Sequence, residues 1–393
     1  MFRRAGTGAG MNLRLNLAPL GFRPADLDHG LLWPLGLLMA LGLVMVASSS
    51  VAVAERYTGE SFHFLYKQLV FMGIGLAAAG LLLSIPLAIW ERSSFVLLAA
   101  ALLVLAVVLF PGIGHEVNGA RRWLNLGFVQ LQASEPARLA LFMYLSAYAV
   151  RRASELRSSW TGLAKPLLPL GAAVMLLLLE PDFGASAVLM AVSFMMLFMA
   201  GARLRDLAVV GVLALGAFGA LMVAAPYRVE RLLTFRDPWA HAFDGGFQLT
   251  QSLIAIGRGE WFGVGLGNSV QKLLYLPETH TDFIFAIFAE EFGLLGVVGL
   301  LVLLGLILRA SMRIASAAAE QGQLFGSYLA YAIGFWMVLQ ALLNIGVNMG
   351  VLPTKGLPLP FVSYGGSSMV MSCAAMGLML RVALETARKE AGR

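Results

Sequence analysis

The stretch Leu276-Pro277-Glu278-Thr279-His280-Thr281-Asp282-Phe283-Ile284-Phe285 sets one carboxylate where a long polar loop gives way to an apolar helix. Two roles suit Asp282 there. It can cap the helix, whose dipole would hold it ionised with a lowered pKa. Alternatively it can serve as a general base at the membrane surface, if burial against lipid and substrate pushes that pKa up. His280, two residues earlier, is placed to tune it or simply to hydrogen-bond at the interface. No second His stands at metal-ligand spacing, so a zinc site is not expected.

A charged side chain inside a bilayer costs about 2.5–3.5 kcal/mol on insertion scales, so those that remain face a cavity or a partner. Glu135 and Arg138 are one helical turn apart, suited either to a salt bridge or to a cavity wall meeting an anionic headgroup. Asp182, between two apolar runs, is a natural N-cap. Glu290 and Glu291 follow Asp282 by about 80° and 180° around an ideal helix and ~12 to 13 Å along it. With Glu135, they are expected to be structural partners of buried bases such as Arg138.

The elements that must position these groups are membrane helices. The chain of 393 residues is 59% hydrophobic and 13% charged, with a mean hydropathy of +0.80, far too few charges for a soluble globule. Long uncharged runs predict spans at Leu31–Ala54, Leu69–Trp90, Ser94–Phe110, Ala137–Val150, Pro166–Leu179, Phe183–Ala200, Leu207–Ala225, Phe283–Leu308, Leu324–Val347 and Ser367–Ala383. The expected fold is an all-α integral membrane protein of about ten transmembrane helices. Residues 1–30 form an N-terminal tail, 31–384 the membrane domain with a large loop at 226–281, and 385–393 a C-terminal tail. Most of the 28 bases fall in loops on the side of the termini, which predicts both termini to be cytoplasmic and the Asp282 loop to face outward. The net charge of +6 is spread over short loops rather than gathered in a patch, so nucleic acid is not expected as a partner. The single Cys373 excludes an intrachain disulfide.

Three outward loops carry polar motifs. One holds Asn118-Gly119-Ala120-Arg121-Arg122-Trp123-Leu124. The large loop has Phe247, Leu249, Leu253 and Ile256 near helical spacing, which predicts an amphipathic helix lying in the interface. Its Gly263-Val264-Gly265-Leu266-Gly267 reads as a flexible passage, since no strand flanks it. The third loop runs Leu352-Pro353-Thr354-Lys355-Gly356-Leu357-Pro358-Leu359-Pro360-Phe361-Val362-Ser363-Tyr364-Gly365-Gly366. P-loop, dinucleotide, G-x-S-x-G and HExxH signatures are absent.

Three motifs in order, Asn118 to Trp123, Pro277 to Ala286 with Glu290-Glu291, and Pro358 to Ser368, together resemble the SEDS family of shape, elongation, division and sporulation proteins. The resemblance runs from the first span to the last. Gly246 to Leu253, Gly265 to Leu273 and Leu352 to Leu357 match the division branch more than the elongation branch. The resemblance implies a peptidoglycan glycosyltransferase of the inner membrane. It would polymerise lipid II, an undecaprenyl-pyrophosphate-linked disaccharide peptide, into β-1,4 glycan at the septum. The implied partners are a class B penicillin-binding transpeptidase of the FtsI type and divisome membrane proteins such as the FtsQ-FtsL-FtsB complex. The family's essential aspartate falls on Asp282. Since lipid II is α-linked and the product β-linked, one inverting step needs one base, which assigns that role to Asp282. Arg122, Arg138 and Lys355 are candidates for neutralising pyrophosphate, with or without Mg2+ or Mn2+ and with no organic cofactor. Arg121, Trp123, His280 and Ser363 are further substrate-binding candidates, and Asp182 is one for a sugar or a metal. The rival readings are a lipid II flippase and a non-catalytic divisome scaffold.

Overall fold

The computed structural model describes residues 27–117, 120–125, 127, 130–223, 234–353 and 356–392. The N-terminal tail up to residue 26, the Asn118-Gly119 turn and Lys355 lie outside the described residues.

The first three helices, α1 (His29–Thr58), α2 (His63–Ser84) and α3 (Leu87–Val108), lead into a small antiparallel sheet of β1 (Gly114–Val117), β2 (Ala120–Asn125) and β3 (Gln130–Gln132). Next come α4 (Ser134–Arg151), the short α5 (Ala153–Ser158), α6 (Trp160–Leu179), α7 (Phe183–Met199) and α8 (Leu204–Val223). The large loop contributes α9 (Phe247–Gly259), and α10 (Ile284–Glu320), α11 (Leu324–Asn348) and α12 (Gly366–Glu390) complete the chain. Seven of these helices are long and apolar enough to cross a membrane. The bundle is helical as the hydropathy predicts, and the sheet is an addition the apolar runs could not signal.

Two boundaries move for stated reasons. The second and third spans break at Ile85-Pro86 rather than at Glu91-Arg92. Proline has no N–H to continue a helix and drives the residue before it into extended geometry; Ile85 sits at φ −91°, ψ 129°. The open ends at this turn are closed from α12, where Glu385 accepts from the Leu87 N–H at 2.9 Å and Arg381 donates to the Leu83 carbonyl at 3.2 Å. The eighth span is a broken helix, interrupted at Gly293 with φ 64° and ψ −166°.

The Gly263 passage fills that break. Val264 and Gly265 donate to the carbonyls of Glu290 and Glu291 at 2.9 and 3.1 Å, while Leu294 and Leu295 donate to the carbonyls of Glu260 and Trp261 at 2.9 and 3.1 Å. Two carbonyls before the break and two N–H groups after it thus find loop partners, as a buried break requires. Gly263 serves close approach. A Cβ on Gly263 would lie 2.1 Å from the Glu291 carbonyl oxygen.

The expected helix in the large loop forms as α9; it meets α10 at Gly259, where a Cβ would lie 2.0 Å from the Ala289 carbonyl oxygen, and it also turns apolar residues inward, with Leu249 buried and Ile256 packed against the core. Ala255 and Gly259 are buried, and Ser252 donates to the Asn348 carbonyl at 2.8 Å. A glycine also sets the crossing of α12 on α2, where Gly377 faces the Ala79 backbone, the small-residue contact typical of membrane bundles.

Candidate active site

The β-sheet, the α6–α7 turn, the large loop and the loop before α12 gather at one end of the bundle. Gln132 on β3 donates to the Asp182 carboxylate at 3.0 Å, and its N–H donates to Ser367 Oγ at 3.0 Å. These bonds tie three separate connections into one rim.

Asp282 stands on this rim, held by its backbone and those of its neighbours. Its carbonyl accepts from Asn344 and Asn348 at 2.9 and 3.0 Å. Ser363 Oγ donates to the Thr281 carbonyl at 2.7 Å, Tyr364 N–H to that of His280 at 2.8 Å, and Thr279 Oγ1 to Ser49 O at 3.1 Å. The carboxylate has no hydrogen-bond partner among the described residues. It does not cap α10, whose N-terminus has no side-chain cap. Its Oδ2 lies over Gly356, where a Cβ would come within 2.8 Å.

Burial, followed by the negative charge of Glu278, pushes the Asp282 pKa up to about 7, while Arg122 pulls against them. The helix dipole does not win, because desolvation of a carboxylate without hydrogen bonds favours its neutral form. A pKa near the working pH is what a general base needs.

Arg122 and Arg121 show why neighbours on a strand differ. Successive side chains alternate faces, so Arg121 pairs with Glu116 across the hairpin at 3.1 Å, away from the site. Arg122 turns inward, with Nη1 3.9 Å from Asp182 Oδ2. Its Nε is buried without a partner among the described residues, a donor left for a ligand or water, and the Trp123 Nε1 is likewise buried without one. Asp182 caps α7 by accepting from Ala185 N–H at 3.0 Å while its other oxygen faces Gln132 and Arg122. The cap and the site role coexist in one side chain.

Other candidates are moved out of the site. Arg138 is 2% exposed and does not reach the rim. It bonds Gln340 at 2.9 Å, pairs with Glu135 at 3.5 Å and lies 4.9 Å from the Trp336 ring. Glu290 and Glu291 are buried in ion pairs, and their bases are Arg258 at 3.3 Å and Lys272 at 2.7 Å, not Arg138. Ser363 is spent on backbone, accepting from Leu359 N–H at 2.8 Å as it holds Thr281. His280 packs between Phe64 and Tyr364 with ring centroids 4.4 and 5.6 Å away, and burial lowers its pKa; it lines the site as a neutral ring.

Glu180 was not anticipated beyond a place in a tight turn. It is 0% exposed, neither carboxylate oxygen has a partner among the described residues, and burial raises its pKa to about 8, with Asp182 adding and Arg122 opposing. The signal was available, since an acid between two apolar runs is costly by default.

Among the described residues no group of three or more His, Cys, Asp or Glu could hold a metal ion, and both Asp182 oxygens are already engaged. These donors do not fit a resident Mg2+ or Mn2+, and no step below runs through one.

Comparison with known proteins identifies the family. The family model for the FtsW/RodA/SpoVE cell cycle proteins matches residues 29–388. A probable peptidoglycan glycosyltransferase FtsW from Thioalkalivibrio sulfidiphilus is 52% identical, over 96% of this chain and 93% of its own length. Its counterpart in Coxiella burnetii is 49% identical over 89% and 94%. Among solved structures, a chain described under structural coordination of polymerization and crosslinking by a peptidoglycan synthase complex matches with TM-score 0.73 and 34% identity, covering 92% of this chain and 98% of that one. The rod shape determining protein RodA of Thermus thermophilus matches with TM-score 0.67 and 31% identity, covering 91% and 96%. The chain therefore belongs to the FtsW/RodA/SpoVE family of cell cycle proteins, and within that family it is of the FtsW type.

Proposed function

We propose that this chain is a peptidoglycan glycosyltransferase that polymerises lipid II at the outer face of the cytoplasmic membrane during division, with Asp282 as general base. The observation that carries this reading is a carboxyl with no hydrogen-bond partner among the described residues, poised near neutrality on a backbone fixed from three other segments. Asp282 takes the proton from the 4-hydroxyl of the acceptor sugar as that oxygen attacks the anomeric carbon of the donor. The bond to pyrophosphate breaks on the opposite face, its electron pair leaves with the phosphate, and the α-linkage becomes β. Arg122 faces the charge that develops on the leaving group. A base positioned in this way is worth about 10²–10⁴-fold in rate.

The family relatives named as glycosyltransferases support the activity. The solved complex that joins polymerisation to crosslinking supports a class B transpeptidase partner. The charge bias supports cytoplasmic placement of both termini, and the FtsW-type relatives support a septal location. The test is polymerisation of labelled lipid II by purified protein, with and without the transpeptidase. Asp282→Asn is expected to fold, to bind its partner and to lose product by at least about 100-fold. Normal glycan synthesis by that variant would refute the base assignment. Movement of label across liposomes without glycan would point to a flippase, and neither activity to a scaffold.

A further inference from the structure

One face of α11 holds the loop before α12 against Asp282. Gln340, Asn344 and Asn348 stand four residues apart, so their side chains line up along the helix. Each spends its amide N–H groups on backbone carbonyls. Gln340 donates to Pro358 O at 2.9 Å, Asn344 to Leu357 O at 2.7 Å and to Asp282 O at 2.9 Å, and Asn348 to Asp282 O at 3.0 Å. Gln340 is itself fixed by Arg138 at 2.9 Å and Trp336 at 2.8 Å. The Leu357 side chain is buried against α7, where a Cβ on Gly184 would come within 2.9 Å of it. Residues 357 and 358 therefore cannot draw back from Asp282 without leaving the buried amides of Gln340 and Asn344 unpaired.

Gly356 comes directly before this pinned pair, and it is exposed where Leu357 is buried. Its φ lies outside the left-handed region, so the backbone does not demand a glycine. The neighbour does. The three atoms nearest the place of a Cβ are Oδ2, Cγ and Oδ1 of Asp282, at 2.8, 3.6 and 3.7 Å. A methyl group set there would press on the carboxylate well inside van der Waals contact, and the pinned residues behind it give it no room to retreat. The space in front of Asp282 Oδ2 is open, at an exposed position, because residue 356 has no side chain.

We infer that Gly356 is a positioning residue for the acceptor: it leaves the Oδ2 side of Asp282 open to the incoming sugar hydroxyl, and the amides of α11 hold that opening at a fixed width. A proton passes from hydroxyl to carboxylate only within hydrogen-bond reach, about 2.6–3.2 Å, and a methyl group on residue 356 would take the same space. Gly356 supplies no functional group of its own; it acts through Asp282, by what it leaves free. The inference rests on the reading of Asp282 as general base and adds to it the side from which the acceptor arrives.

The test is Gly356→Ala in the full chain, in complex with the transpeptidase, read in two ways. In lipid II polymerisation kcat should fall by on the order of tenfold or more, since a shift of under an ångström already misplaces a reacting group, while KM and the melting temperature keep their wild-type values. Carbodiimide-driven coupling of a small amine to carboxyl groups, located by mass spectrometry, reads access to Asp282 without turnover. In the wild type both Asp282 and the exposed Glu278 should couple. In Gly356→Ala coupling at Asp282 should drop while that at Glu278 stays the same. Wild-type kcat in Gly356→Ala overturns the inference, and so does a loss of kcat with coupling at Asp282 unchanged. Wild-type protein that couples at Glu278 but not at Asp282 overturns it as well, however the variant folds. If Asp282→Asn polymerises normally, the base assignment is what fails; a drop in coupling at Asp282 in Gly356→Ala would still show that residue 356 governs access to that carboxyl.

Discussion

At the scale of single residues, the site separates what a side chain is from what its surroundings make of it. Asp282 and Asp182 both stand just before an apolar helix, yet Asp182 caps its helix and Asp282 does not. The difference is hydrogen bonding. Two donors hold Asp182, none among the described residues holds the Asp282 carboxylate, and desolvation then decides the second pKa. With that pKa at about 7, Asp282 is a base only when ionised. kcat/KM should therefore be fully developed above pH 7 and fall by roughly tenfold per unit as pH drops below it, a limb that initial-rate measurements on the purified complex would reveal. Asp282 stands out in the sequence because it is the last acid of a loop of unusual length, directly before an apolar run. Arg138 was read as a phosphate candidate because spacing cannot tell a cavity wall from a helix contact; the contacts with Gln340, Glu135 and Trp336 settle that choice.

At the scale of elements, the join between the large loop and α10 is the feature that periodicity could not supply. Hydropathy reports a continuous span because both halves of α10 are apolar, and the loop glycines carry no hydropathy signal at all. Yet the break is built on both sides. Glu290 accepts from Ser269 Oγ, Arg258 and the Val270 N–H, while Glu291 accepts from Ser48 Oγ and Lys272. Gly293→Ala should be poorly tolerated. Its φ of 64° is strained for any Cβ, at about 1–3 kcal/mol, and that Cβ would lie 2.4 Å from the Gly263 nitrogen. The expected result is a lower melting temperature in detergent and faster proteolysis at Arg258. Gly299→Ala, where a Cβ meets nothing within 4 Å, should behave as wild type.

At the scale of the whole molecule, alternating helices bring every connection of the site to the end opposite the termini. Hydropathy alone indicated this arrangement, since counting spans fixes which loops share a face; the small sheet and the convergence of the loops required tertiary contacts. The lone cysteine makes the topology directly measurable, because Cys373 is 2% exposed. In spheroplasts, Phe243→Cys, at a side chain 95% exposed in the large loop, should react with a membrane-impermeant maleimide. Glu390→Cys, near the C-terminus, should react only after lysis. The clamp around residues 280–282 adds a temporal consequence. Its fasteners, Asn344, Asn348, Ser363 and Tyr364, all leave the ribosome after the segment they grip. A nascent chain that has inserted most of its helices still carries a loose, solvated acid. The machine is armed only when translation reaches its final span, so fragments left by stalled synthesis would be inert.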